Sequence, residues 1–451
     1  MFSMWRTRVE SYRPNCRRRC GKSLWRRARK MTLVHAPILS ETAATLCLFF
    51  ILLVPSAAAG LALINSGLSR SRNAAHAMLG TLSILAMAAL LYFAVGFAWQ
   101  GYAGRPQHSL VVNGKSWSWI GAERFFLRDI EFGQTPVSLA VVLGMFSVGL
   151  AGIIPLGAAA ERWRLGASLA STALLAGCTY PLFAHWVWGG GWLAQLGFAD
   201  SGGASSIQAV GGLSALAITR ILGPRRGKYP AQGMPAAIPG HNAAFVLFGC
   251  FLAWMGWLGL NCAGAILFTG VESDRATLIV VNTTLAAGVS MLTAGLITRV
   301  RFGKTDASFC ANGWVGGLVA SSAACAVIRP GAAVAIGMIS GTLVVFSVEW
   351  LELHLKLDDP AGAVSVHGLG GLWGVLAVGL FGPYEYRWSA QLAGIAALIG
   401  FVLPLTYGLN WLLDRFRPQR VAPEGEQQGL DLYELGAGAY PDFMSPNEDL
   451  W

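Results

Sequence analysis

The chain reads as an all-α polytopic membrane protein of eleven transmembrane helices, built as a 5+5 inverted-topology repeat plus one helix. Three observations predict this. First, 54% of its residues are hydrophobic and 12% charged, where soluble domains carry about 25% charged residues. Second, its apolar residues gather into runs of roughly 20, the length that crosses a bilayer core. Third, two segments 159 residues apart read alike: Asp200-Ser-Gly-Gly203-Ala204 to Gln208, with Gly211-Gly212-Leu213, and Asp359-Pro-Ala-Gly362-Ala363 to His367, with Gly370-Gly371-Leu372. Such internal repeats are how many transporters build a central site.

The apolar runs predict spans near 42–66, 75–98, 136–159, 166–188, 204–222, 242–268, 277–299, 307–328, 331–353, 362–382 and 390–413. Lys and Arg then set their direction. Arg70/Arg72, Arg162/Arg164, Arg220/Arg224/Arg225/Lys228, Arg299/Arg301/Lys304, Lys356 and Arg415/Arg417/Arg420 fall at every second boundary. By the positive-inside rule the first span starts outside, and the tail 415–451 is cytoplasmic. The membrane domain is taken as 39–414. The two repeat segments lead the fifth and tenth spans, so they run in opposite directions. A pseudo-two-fold axis in the membrane plane then brings Gln208 and His367 together near the midplane.

Residues 1–38 form a basic extension, and its first 30 residues hold eleven Lys/Arg against one Glu. That segment alone supplies the formal charge of +10, so no basic domain for nucleic acid is left. It has no apolar stretch before residue 41, unlike a secretory signal. Either Met31 is the true start or the segment is a cleaved or unusual extension. Six of the eight cysteines lie in or beside apolar runs and read as small apolar side chains. Cys16 and Cys20 in the basic segment form neither a disulfide framework nor a metal motif. No nucleotide fold, catalytic triad or metal cluster is visible, so neither an enzyme nor a cofactor is expected.

The polar residues inside the apolar runs carry the chemistry. An ionisable side chain in a bilayer is costly and usually lines a path, which points to His367. Gln208 donates and accepts but does not titrate, so the pair is not a complete proton relay; interhelical hydrogen bonding is its plainer reading. Asp200 and Asp359 each precede a helix, where an acid caps the free N–H groups and suits the dipole. Asp200 also follows His185-Trp186-Val-Trp188-Gly-Gly-Gly191-Trp192. A carboxylate behind an indole attracts a cation. Trp186 and Trp192 read as interfacial anchors, and Trp188 less so. A cation drawn to an outer mouth above an apolar passage threaded by a His suits a small protonatable amine.

These residues resemble the ammonium transporter family (Amt/Mep/Rh), from about residue 40 to the tail. The likeness runs through Gly67-Leu68-Ser-Arg70, Ala160-Glu161-Arg162, Ala184-His185-Trp-Val-Trp188-Gly-Gly-Gly191, Gly256-Trp257-Leu-Gly259-Leu260-Asn261, Asp358-Asp359-Pro360, Val366-His367-Gly368 and Gly429-Leu430-Asp431-Leu432. The resemblance implies a homotrimer in the cytoplasmic membrane, one pore per subunit and eleven helices entering N-out. It makes Trp188 the aromatic of an outer recruitment site that includes Trp257. Asp200 becomes the acid behind that aromatic, and His367 the second of two pore histidines. Gln208 stands where the first histidine belongs. Leu260 and Ser147 stand where stacked phenylalanines are expected, with Phe146 beside the latter, and Gly264 replaces a serine hydroxyl. In the tail, Glu434-Leu435-Gly436 departs from the family's Glu-His, which bears on docking of a PII signalling protein. The expected function is ammonium/ammonia transport: a cation recruited outside, deprotonated, and passed through a hydrophobic pore. The alternative is an ammonium-binding sensor or non-conducting paralogue on the same fold. A neutral-gas channel like the Rh branch is a further reading, for which Trp188 would be superfluous.

Overall fold

A computed structural model of the 451-residue chain describes residues 38–102, 108–112, 115–383 and 386–440. The basic extension up to residue 37, with Met31, Cys16 and Cys20, lies outside the described residues, as does the tail beyond 440. Among the described residues, ten helices are long and apolar enough to cross a membrane: α1 (Glu41–Leu68), α2 (Ser71–Gln100), α3 (Pro136–Ala158), α4 (Leu165–Leu196), α5 (Ala204–Leu222), α6 (Ala243–Thr269), α7 (Ser273–Phe302), α9 (Pro330–Leu355), α10 (Val364–Phe381) and α11 (Trp388–Phe416). Between them lies α8 (Ala307–Ser322). Each predicted run overlaps one of these helices.

The eighth run is the one that differs, because α8 spans 16 residues and not the 22 expected. At 1.5 Å per residue that is about 24 Å, short of a bilayer core. The cause is local. The carbonyls of Ser322 and Ala323 accept from the backbone N–H groups of Gly202 and Ser201, and Asn282 donates to the carbonyls of Cys325 and Ile328. Chain ends that would extend the helix are tied to the loop after Asp200 instead.

The long connection 99–135 holds an antiparallel hairpin of β1 (His108–Val112) and β2 (Lys115–Ile120). The all-α expectation missed it, although Asn113-Gly114 between two β-prone stretches is a strong hairpin signal. Trp119 of β2 stacks on Trp192 and meets Trp186 edge-on, each at 5.8 Å.

Small residues let the halves meet. α1 and α6 touch along a seam where a Cβ on Gly60 would lie 2.5 Å from the Gly249 carbonyl oxygen, as expected where lipid-embedded helices associate by close packing. The repeat is visible in detail. Asp200 caps α5 through Gly203, Ala204, Ser205 and Ser206 N–H groups, and Asp359 caps α10 through Ala363 and Val364. Gly203 and Gly362, at matching positions, both adopt positive φ (+89° and +67°), a conformation that favours glycine. Both helices then open with a π-helical turn, Ala204–Ala209 and Val364–Leu369.

The contacts between α5 and α10 are reciprocal. Gly212 packs on the backbone of Gly368, while Gly371 packs on that of Ala209. Since 209 and 212 correspond to 368 and 371, a local two-fold axis relates the two segments, and Gln208 meets its own counterpart His367 on that axis. As one helix advances the other recedes, so they cross antiparallel.

At one end of the bundle the connecting loops are locked by buried ions. Glu161 accepts from Arg225 and from the backbone and guanidinium of Arg70. Arg225 makes a two-pronged bond to Asp358, both at 2.9 Å, and Arg162 donates to the Asp358 carbonyl at 2.6 Å. Burial alone would raise the Asp358 carboxyl, but Arg225 and Arg162 hold it below its ordinary value. Its neighbour Asp359 is pushed up to about 6 by burial, against the two N–H groups it accepts. Two short helices of the tail, α12 (Pro423–Gln428) and α13 (Leu430–Leu435), close over this end.

Candidate functional site

Trp188 sits where α4 breaks, its backbone N–H still bonded to the Ala184 carbonyl. Its indole Nε1 donates to the Asp200 carbonyl at 2.8 Å, so the loop that ends in Asp200 fixes the ring. The ring lies flat against Phe268 of α6, centroids 4.2 Å apart and planes 6° from parallel. Tyr102 meets Phe268 edge-on at 6.2 Å and donates its hydroxyl to the Leu267 carbonyl. Neither Phe268 nor Tyr102 stood out in the sequence. The available signal was weak, an aromatic at the end of a long apolar run.

The neighbours of Trp188 are committed elsewhere. His185 is held between Ser118 of the hairpin (3.0 Å) and the Gln100 carbonyl (2.7 Å). Trp186 donates to the Trp119 carbonyl and packs on Phe401 at 4.6 Å.

The Asp200 carboxylate has no oxygen to spare. Oδ1 accepts the N–H groups of Gly203 (2.8 Å) and Ala204 (2.9 Å). Oδ2 accepts from Ser205 N–H (2.8 Å), Ser205 Oγ (2.5 Å) and Ser206 N–H (3.2 Å). Burial pushes the Asp200 carboxyl above its ordinary value, and the bonds from Ser205, Ser206 and Gly203 pull the other way. The carboxylate is thus taken up by the helix it caps, and its residue holds Trp188 only through the backbone carbonyl. Gly264, on α6, faces this same loop: a Cβ there would lie 2.5 Å from the Ser201 carbonyl oxygen. A serine at 264 would collide with backbone, so a carbonyl takes the space its side chain would need.

Deeper in the bundle, Gln208 Oε1 and His367 Nδ1 are 2.8 Å apart, and Gln208 Nε2 is buried with no partner among the described residues. A family model described as Ammonium Transporter Family matches residues 44–440. The chain belongs to the ammonium transporter family. It is 36% identical to the ammonium transporter Amt2 of Archaeoglobus fulgidus, over 90% of this chain and 89% of that protein. The ammonium transporter of Bacillus subtilis is 32% identical, over 89% and 99%. Among solved structures, a sensor Amt protein superposes with a TM-score of 0.80 at 28% identity, covering 87% of this chain and 97% of that one. Mep2 of Candida albicans gives 0.75 at 26%, covering 90% and 92%.

Within this ammonium-transporter-family chain, the residues singled out from the sequence separate into two places. Trp188 and Asp200 lie together, with Phe268 added. Trp257 lies instead beside His367, ring centroids 6.4 Å apart, and donates to Ser322 Oγ at 3.2 Å. Leu260 and Ser147 are buried, while Phe146 is half-buried and packs against the core. On the far side of His367 a small cavity is lined by Leu61, Asn65, Ile154, Asn312 and Val366. Its two asparagines give His367 polar company that the sequence did not flag.

Proposed function

We propose that this chain transports ammonium/ammonia across the cytoplasmic membrane as a homotrimer, each subunit carrying its own path. The observation that carries the reading is the Trp188 indole, stacked on Phe268 and anchored to the loop of a buried, fully hydrogen-bonded Asp200. Cation attraction to aromatic faces concentrates ammonium at this mouth. The ion sheds its proton to water there, because an apolar passage disfavours a charge far more than a neutral amine. Leu260, Ser147 and Phe146 would flank the entrance to that passage. The neutral species then meets the Gln208–His367 pair and the Trp257 side of the ring, and leaves through the cavity holding Asn65 and Asn312.

In this reading α8 is the eighth of eleven crossings, the N-terminal end of α1 faces out, and the tail is cytoplasmic, as the alternating Arg and Lys boundaries require. The tail would then be the surface offered to a PII-family protein.

The test is growth of cells stripped of their own ammonium transporters on limiting ammonium. Rescue by the wild-type chain and failure by Trp188→Ala is the expected result. A wild-type chain that reaches the membrane without restoring growth would defeat the reading.

A further inference from the structure

We propose that Gln208 makes this passage electroneutral: it pins His367 in one tautomer and offers an amide donor, so the buried pair receives ammonia and cannot relay its proton. The inference rests on the transport reading above. It begins from the bond between Gln208 Oε1 and His367 Nδ1 at 2.8 Å. An amide oxygen only accepts, so Nδ1 carries the ring proton and Nε2 keeps its lone pair. The pair sits on the local two-fold axis, where the backbones of Gly212 and Gly368, and of Gly371 and Ala209, are in contact. Trp257 stands against the ring at 6.4 Å. Both side chains are therefore held on rigid, closely packed helices.

The second observation is the Gln208 Nε2 group, buried and without a partner among the described residues. A buried orphan donor calls for an explanation. Ammonia supplies one. It has one lone pair and three N–H bonds, so it accepts from Gln208 Nε2 on one side of the pair and, once past it, donates to His367 Nε2 on the other. Ammonium has four N–H bonds and no lone pair, and it meets the Gln208 amide donor with another donor. The pair thus discriminates by hydrogen-bond polarity as well as by desolvation.

The same amide closes the proton route. It neither gains nor loses a proton in the physiological range, so a proton arriving from the outer side has no group at 208 on which to pause. Proton balance follows directly. Outside, ammonium transfers its proton to water, giving ammonia and hydronium. Inside, ammonia takes a proton from water, giving ammonium and hydroxide. Net charge moved is zero, and the interior becomes alkaline.

The experiment uses the purified full-length protein in liposomes with a trapped pH dye, in parallel with transient currents on a solid-supported membrane. On an ammonium chloride step, wild type should alkalinise the interior faster than protein-free vesicles. It should produce no current, and an inside-negative potential should not change its rate. Gln208→Glu keeps the shape of the side chain but accepts and releases a proton; Gln208→His is the second variant. Either should gain a transient current and a flux that inside-negative potential accelerates. A wild-type current, or a potential-sensitive wild-type flux, overturns the inference and leaves the transport reading standing. Two folded variants that alkalinise without current also overturn it. A wild type no faster than protein-free vesicles defeats the transport reading itself, and this inference with it.

Discussion

Replacing Asp200 by Asn should destabilise the protein more than the same change at Asp359, and the hydrogen bonds give the size of the difference. An Asn side chain has one acceptor oxygen and one NH₂ group. If the NH₂ replaces Oδ1, the N–H groups of Gly203 and Ala204 lose their acceptor; if it replaces Oδ2, those of Ser205 and Ser206 do, since the Ser205 hydroxyl can turn to accept. Either way two buried backbone donors are orphaned, at about 1–3 kcal/mol each, or about 2–6 kcal/mol together. At Asp359 each oxygen serves a single N–H, Ala363 or Val364, so one donor is lost and the cost is about 1–3 kcal/mol. Melting of the detergent-purified protein, followed by its 17 tryptophans, should rank wild type above Asp359→Asn and Asp359→Asn above Asp200→Asn. An Asp200→Asn protein that melts with wild type, or above Asp359→Asn, would refute the claim that the carboxylate is saturated by the helix it caps.

Four further outcomes follow from the same geometry. Phe268→Leu should raise the ammonium concentration for half-maximal uptake by about 2- to 30-fold, the range of one cation–π contact of 0.5–2 kcal/mol, with uptake kinetics in cells as the check; unchanged kinetics would remove Phe268 from the mouth. Asp358→Asn leaves Arg225 and Arg162 facing a neutral group in a buried cluster, a loss of about 3–5 kcal/mol that should lower the melting point sharply. The tail should loosen in acid. Burial alone would raise the Glu434 carboxyl, but bonds from His76 and the Leu165 N–H hold it below its ordinary value. That contribution is present above the unfolded value near 4.3 and is lost as pH falls through the lower folded one, so hydrogen exchange at 430–435 should rise there, and Glu434→Gln should abolish the step. Asp359 has the opposite sign. Its folded value of about 6 exceeds the unfolded one, so its contribution is full in acid and fades as pH rises through about 6. Asp359→Asn should flatten that part of the stability profile.

The legible parts of the sequence were those where one physical rule dominates. Apolar length located the ten membrane-length helices and α8, and the Asp-to-Gly-Gly-Leu repeat placed Gln208 beside His367 because the two-fold axis brings matching positions together. Where two demands met on one segment, the reading fell short. The run 307–328 is apolar throughout, yet its carbonyls at Ser322 and Ala323 bind the Asp200 loop and end α8 early. Arg70, Arg162 and Arg225 were read as topology charges, but in the fold they also pair with Glu161 and Asp358. Asp358, taken only as the companion of Asp359, is the centre of that cluster. Phe268 reaches Trp188 from α6, and Tyr102, just past the end of α2, meets Phe268; no local pattern announces such contacts. Trp257 belongs beside His367 because a helical residue near the middle of α6 lies at the depth of the pore pair, not of the mouth.

The most direct test of the central claim, that this chain carries ammonium through the membrane by way of the Trp188 mouth, is the uptake of ¹⁵N-labelled ammonium by liposomes containing the purified protein. The account predicts uptake that saturates with concentration, exceeds that of protein-free vesicles, and needs a higher concentration to saturate in Trp188→Leu. Uptake that is linear and equal to that of empty vesicles would contradict it.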